Sequence, residues 1–102
     1  MNRGEIWLAQ VGRRRRPVLV LTRTEVLEVR SLVTVAEITT SMRGLAAEVP
    51  IDQETIGLDQ GSAINCDGLH TVPQTMLTRR IGEIDQSDLD RVCTAINYAL
   101  GC

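Results

Sequence analysis

The stretch Arg13-Arg14-Arg15-Arg16-Pro17-Val18-Leu19-Val20-Leu21-Thr22 joins four consecutive cations to an unbroken apolar run. Pro17 lacks an N–H and fixes its own φ, and it drives Arg16 into extended geometry. Both constraints suit the first residue of a strand, where a missing donor is tolerated. The four apolar residues that follow, without polar alternation, predict a strand covered on both faces. Arg16 then stands at the mouth of a rigid central strand. A guanidinium there offers a planar fork of donors that stays charged, which suits a phosphate. The plainer alternative is an arginine run solvated in a turn.

Working outward, Glu5–Val11 reads as a first strand, with Gly12 and the arginines as a short turn into a second over Pro17–Thr22. Arg23–Arg30 mixes charge with Val and Leu and reads as a helical turn or an irregular loop. Ser31–Thr39 is rich in β-branched residues and reads as a third strand. Thr40–Gly44 is a loop, Leu45–Ile51 a fourth strand stopped by Asp52, and Gln53–Gln60 a loop around Gly57. Gly61–Asp67 is a fifth strand, which His70–Val72 either extends or follows as another before Pro73. Gln74–Leu77 is a helical turn and Thr78–Ile84 a short last strand. Asp85 then caps a helix, with Asp88 close to a capping-box position and in favour with the helix dipole. Leu89, Val92, Cys93, Ile96, Ala99 and Leu100 recur at helical spacing and make one apolar face, and Gly101 ends it. Six or seven short strands and one amphipathic helix predict a mainly β fold, a small barrel or half-barrel with the helix packed on it.

Composition narrows the function. A chain of 102 residues predicts a single domain. With one Trp, one Tyr and no Phe, its core must be aliphatic. No window is apolar enough for a membrane helix, and the N-terminus lacks the apolar region of a secretory signal, so a cytoplasmic protein is expected. Cys66, Cys93 and Cys102 are odd in number and widely spaced, which argues against a disulfide framework or a zinc site. The net charge of −2 does not by itself point to nucleic acid. Its distribution does allow it: all the basic residues are Arg, four of them contiguous, while Glu83, Asp85, Asp88 and Asp90 gather near the C-terminus.

With a single His and no GxSxG, P-loop or GxGxxG pattern, any hydrolase chemistry must work without a metal or cofactor. RNA cleavage is one such reaction, because the substrate carries its own nucleophile, the 2′-OH. The protein must accept that proton, protonate the leaving 5′-oxygen and stabilise the charged phosphorane. Arg is a poor proton-transfer group, so Arg16 reads as the clamp on the phosphorane.

Four segments carry a family resemblance. Arg3-Gly4-Glu5-Ile6-Trp7-Leu8, Arg16-Pro17-Val18-Leu19-Val20-Leu21, Ala36-Glu37-Ile38-Thr39 with Thr40-Ser41, and Asn65-Cys66-Asp67 with His70-Thr71-Val72 resemble, in order and at plausible spacing, the MazF/Kid (PemK) toxins of bacterial toxin–antitoxin modules. The resemblance implies an SH3-like, partly open barrel with a C-terminal helix, working as a homodimer. It implies metal-independent, sequence-specific cleavage of single-stranded RNA to 2′,3′-cyclic phosphate and 5′-OH ends. It also implies inhibition by a MazE-like antitoxin that lays an extended, often acidic, tail over the RNA groove. Arg16, Thr39 and Asp67 take the positions of the family's catalytic residues. Arg13, Arg14, Arg15, Thr40, Arg43, Asn65 and His70 are expected to contact RNA. Two departures stand out: Asn65 occupies the place of a catalytic Arg in the Kid branch, and His70 stands where Arg is common. The alternative is a non-enzymatic toxin of the CcdB kind that binds DNA gyrase. The C-terminal Ala99-Leu100-Gly101-Cys102 lacks the Trp-containing end that mode uses. A barrel that binds RNA without cutting it is a third reading.

Overall fold

The computed structural model describes residues 1–11, 13–52 and 61–102. Gly12 and the expected loop Gln53–Gln60 lie outside the described residues. The strands are β1 (Glu5–Val11), β2 (Arg14–Val20), β3 (Leu32–Thr39), β4 (Glu48–Ile51), β5 (Ser62–Pro73) and β6 (Leu77–Glu83). They form one antiparallel sheet in the order β4-β5-β3-β2-β1-β6, open at the β4 and β6 edges. Helix α1 (Thr24–Leu27) links β2 to β3, a 3₁₀ turn (Gln74–Met76) links β5 to β6, and helix α2 (Gln86–Leu100) closes the chain.

The apolar run of β2 is buried on both faces, as its lack of alternation predicts. Leu19 joins Ile6, Ala36, Ile38, Ile64 and Cys66 in a cluster that Val92 and Ala95 of α2 complete. Val18 and Val20 point the other way, into a second cluster with Ala9, Val33, Val35 and Leu77, covered by Leu27 of α1. Asp85 caps α2 by accepting a hydrogen bond from the Asp88 N–H at 2.8 Å, and Gly101 closes it in left-handed geometry at φ 72°. Leu100 departs from the expected apolar face and is exposed, while Ile96 and Ala99 pack against the core.

The N-terminal Arg3-Gly4-Glu5 latches three strands together. Gly4, at φ 89°, donates its N–H to the Val20 carbonyl at 2.9 Å and accepts from the Ile84 N–H at 3.0 Å. A side chain there would be strained by the positive φ. The Glu5 carboxylate is buried and accepts from the Asn2 N–H (2.8 Å), Trp7 Nε1 (3.1 Å) and Arg80 Nε (3.0 Å). Burial opposes its ionisation, but these three donors outweigh burial and hold its carboxyl below the usual range. Arg80 is therefore a structural partner, which also reaches Glu83.

Two strand starts differ most from the sequence expectation. β2 begins at Arg14, not Pro17, because Arg14, Arg15 and Arg16 pair with Val11, Gln10 and Ala9 of β1. Pro17 fits inside the strand because the ladder to β3 starts only at Val18, so at Pro17 β2 is paired on the β1 side alone. β4 is shorter, starting at Glu48. The Glu48 carboxylate accepts from the N–H groups of Arg43 and Leu45 at 2.9 and 3.1 Å and holds residues 43–47 in a loop. Of the two expected readings of His70–Val72, the extension holds: it and the fifth strand are one long strand, β5. It is interrupted by a bulge: Asn65 opposes Glu37 while Leu69 opposes the adjacent Ala36. Cys66, Asp67 and Gly68 are the extra residues.

Candidate active site

The pleat of β2 divides the arginine run. Arg14 and Arg16 share the face of Val18, whereas Arg15 faces the opposite side, where its Nε donates to Gln10 Oε1 at 3.1 Å. Arg13 lies exposed at the turn. Beside Arg14 and Arg16 is a cavity of about 310 Å³. Its floor is apolar, made by Ala9, Val18, Val35, Val72 and Met76, and its polar wall comes from Arg14, Arg16, Glu37 and His70. Four strands and the 3₁₀ turn contribute, so the guanidinium groups are aimed by the sheet and not by a loop.

Glu37 and His70 meet across β3 and β5. His70 Nε2 lies 3.2 Å from Glu37 Oε1. The bulge makes this possible. A Cβ added at Gly68 would meet the end of the Glu37 side chain, which would have to swing aside, so the bare glycine leaves room for that carboxylate against the β5 backbone.

The other expected residues do not line this cavity. Thr39 follows Glu37 by two on the same face of β3, and its Oγ1 accepts from the Ser41 N–H at 3.0 Å, turning the chain at the strand end. Asp67 is exposed at the bulge, and its N–H donates to Asn65 Oδ1 at 3.1 Å. Asn65 is thus engaged in shaping the bulge. Thr40 and Arg43 are exposed beyond the end of β3, with the Arg43 side chain 3.9 Å from Glu48. Trp7 is half-buried against the second cluster and bonded to Glu5, so it belongs to the core.

The structure thus gathers Arg14, Arg16 and His70 at one cavity and leaves Asp67 out of it. It adds Glu37, which the sequence reading did not single out. The available signal was the one charged residue of β3, with Gly68 in the strand it pairs with. An apolar floor beside two guanidinium groups can seat a base or ribose and hold its phosphate, and the volume suits about one nucleotide.

The profile of the family described as PemK-like, MazF-like toxin of type II toxin–antitoxin system matches residues 2–100. This chain belongs to that family. It is 45% identical over 94 residues to the endoribonuclease MazF3 of Mycobacterium tuberculosis, covering 92% of this chain and 89% of that protein. Among solved structures, the Mycobacterium tuberculosis toxin MazF-mt6 superposes with a TM-score of 0.89 at 43% identity, covering 95% of this chain and 96% of that one. The expected fold, an open barrel-like sheet with a C-terminal helix, is the family's fold, and the gyrase-binding alternative is not favoured.

Proposed function

We propose that this MazF-type chain is an endoribonuclease toxin that cuts single-stranded RNA at the Arg14–Arg16 cavity. One observation carries the reading: two guanidinium groups on a central strand face an apolar recess together with a His–Glu pair, in a chain whose family includes named endoribonucleases. In this reading Arg16, with Arg14 beside it, binds the scissile phosphate and stabilises the charge that builds on it during 2′-OH attack. The products are a 2′,3′-cyclic phosphate and a 5′-OH, with no metal or cofactor in the step. Thr39, next along β3, supports the phosphate or ribose at the cavity edge. Arg13, Arg15, Thr40, Arg43, Asn65 and Asp67 contact the flanking RNA.

The whole chain, residues 1–102, acts as one toxin domain in the cytoplasm. It works as a homodimer and is held in check by a MazE-like antitoxin whose acidic segment lies across the same basic surface. That acidic segment would compete with RNA for Arg14 and Arg16.

The test is Arg16→Ala. Arg16 is exposed and takes no part in either apolar cluster, so the variant should fold and dimerise as wild type. Its cleavage rate should fall by about 10²–10³, the loss typical of one donor to a transition-state oxyanion. Cleavage near the wild-type rate would move the site elsewhere.

A further inference from the structure

Resting on the ribonuclease reading, we infer that Glu37 and His70 are the proton-transfer pair of this site, with His70 the general acid and Glu37 the general base. Among the described residues they are the polar groups of the cavity wall whose chemistry allows proton exchange; the others, Arg14 and Arg16, stay charged. The remaining wall from β1 and the 3₁₀ turn is Ala9 and Met76, which do not titrate. The nearest further ionisable group on β5, Asp67, is exposed on the bulge outside the cavity. His70 turns Nε2 to Glu37 Oε1 at 3.2 Å, which fixes the ring and leaves Nδ1 for substrate.

The step balances within this pair. The 2′-oxygen attacks phosphorus, the O2′–P bond forms, and the 2′-OH proton passes to the Glu37 carboxylate. The P–O5′ bond breaks, its electron pair goes to O5′, and the imidazolium of His70 protonates that oxygen. Arg14 and Arg16 hold the non-bridging oxygens throughout. With side chains 36% and 53% exposed, Glu37 and His70 regain their starting protonation from solvent. Gly68 is a positioning residue, since it admits the carboxylate to its place.

The experiment compares wild type, His70→Ala, Glu37→Gln and Gly68→Ala on one RNA and on the same RNA with sulfur replacing the bridging 5′-oxygen at the cut. A thiolate leaves without protonation, so the modified substrate does not need the acid. On ordinary RNA His70→Ala and Glu37→Gln should each lose about 10²-fold or more in single-turnover rate, and Gly68→Ala, which only pushes the carboxylate end aside, should lose less. On the thio substrate His70→Ala should recover most of its rate, whereas Glu37→Gln and Gly68→Ala should stay slow. The wild-type pH–rate profile should be a bell that loses its alkaline limb in His70→Ala and its acid limb in Glu37→Gln. Circular dichroism checks that each variant is folded. Wild-type rates in His70→Ala on ordinary RNA, or an equal defect on both substrates, would overturn the acid assignment while leaving the ribonuclease intact. A wild-type rate in Glu37→Gln would overturn the base assignment. If wild type cuts neither substrate, the ribonuclease reading itself falls, and the pair's role with it.

Discussion

Replacing Glu5 by Gln removes one charge from the N-terminal latch while keeping its shape. Oε1 of Glu5 accepts from the Asn2 N–H and Trp7 Nε1, and Oε2 accepts from Arg80 Nε. A glutamine can satisfy the first two with its carbonyl, but its amide N–H₂ then faces the Arg80 guanidinium, donor against donor. The loss is one charge-assisted hydrogen bond, about 1.5–3 kcal/mol in a buried setting. The Arg80 side chain is 45% exposed, so solvent screening brings this to about 1–2 kcal/mol. In a domain of this size that lowers the unfolding midpoint by about 5–10 °C at fixed protein concentration. The pH dependence has a definite sign. The folded carboxyl of Glu5 is held below its unfolded value, so its stabilisation is present above the ordinary carboxylate range and is lost as pH falls through the lowered folded value. Thermal unfolding of wild type and Glu5→Gln should therefore show a gap at neutral pH that narrows on acidification to about pH 3. A gap of unchanged size at both pH values would refute the ionic latch. No gap at neutral pH would mean that Glu5 contributes no more than a neutral amide.

Other consequences are simpler to read. Cys66 is fully buried, and burial, with Asp67 and Cys93 nearby, pushes its thiol up to about 11. In the native protein it should resist thiol labelling at mildly alkaline pH while exposed Cys102 reacts, and it should label only on unfolding; mass-mapped labelling decides this. Asp85→Ala removes the cap of α2 and should lower stability by about 1 kcal/mol without altering cleavage, because α2 packs on the sheet face opposite the cavity. A large loss of activity in that variant with its fold intact would tie α2 to the site.

Much of this architecture was legible because local signals and the fold agree. The apolar run after Pro17 predicted a doubly covered strand, and Val18, Leu19 and Val20 are buried in two clusters on opposite faces. Asp85, the helical spacing and Gly101 placed α2 within a residue of its limits. What escaped the reading depended on partners distant in sequence. Arg14–Arg16 looked like a turn because their charge was visible and their pairing with Val11–Ala9 was not. The pairing of Arg80 with Glu5 gave no local sign because the two lie 75 residues apart. The site divides in the same way. Arg16 could be singled out by Pro17 and the strand mouth, whereas Glu37 acquires meaning only when the β5 bulge brings His70 and Gly68 against it.

The most direct measurement is cleavage of a long unstructured RNA by the purified protein in EDTA, with the chemistry of the new ends mapped. The account predicts cuts at discrete sites, each leaving a 2′,3′-cyclic phosphate and a 5′-OH. Ends bearing a 3′-OH and a 5′-phosphate, or no cutting by folded protein, would contradict it.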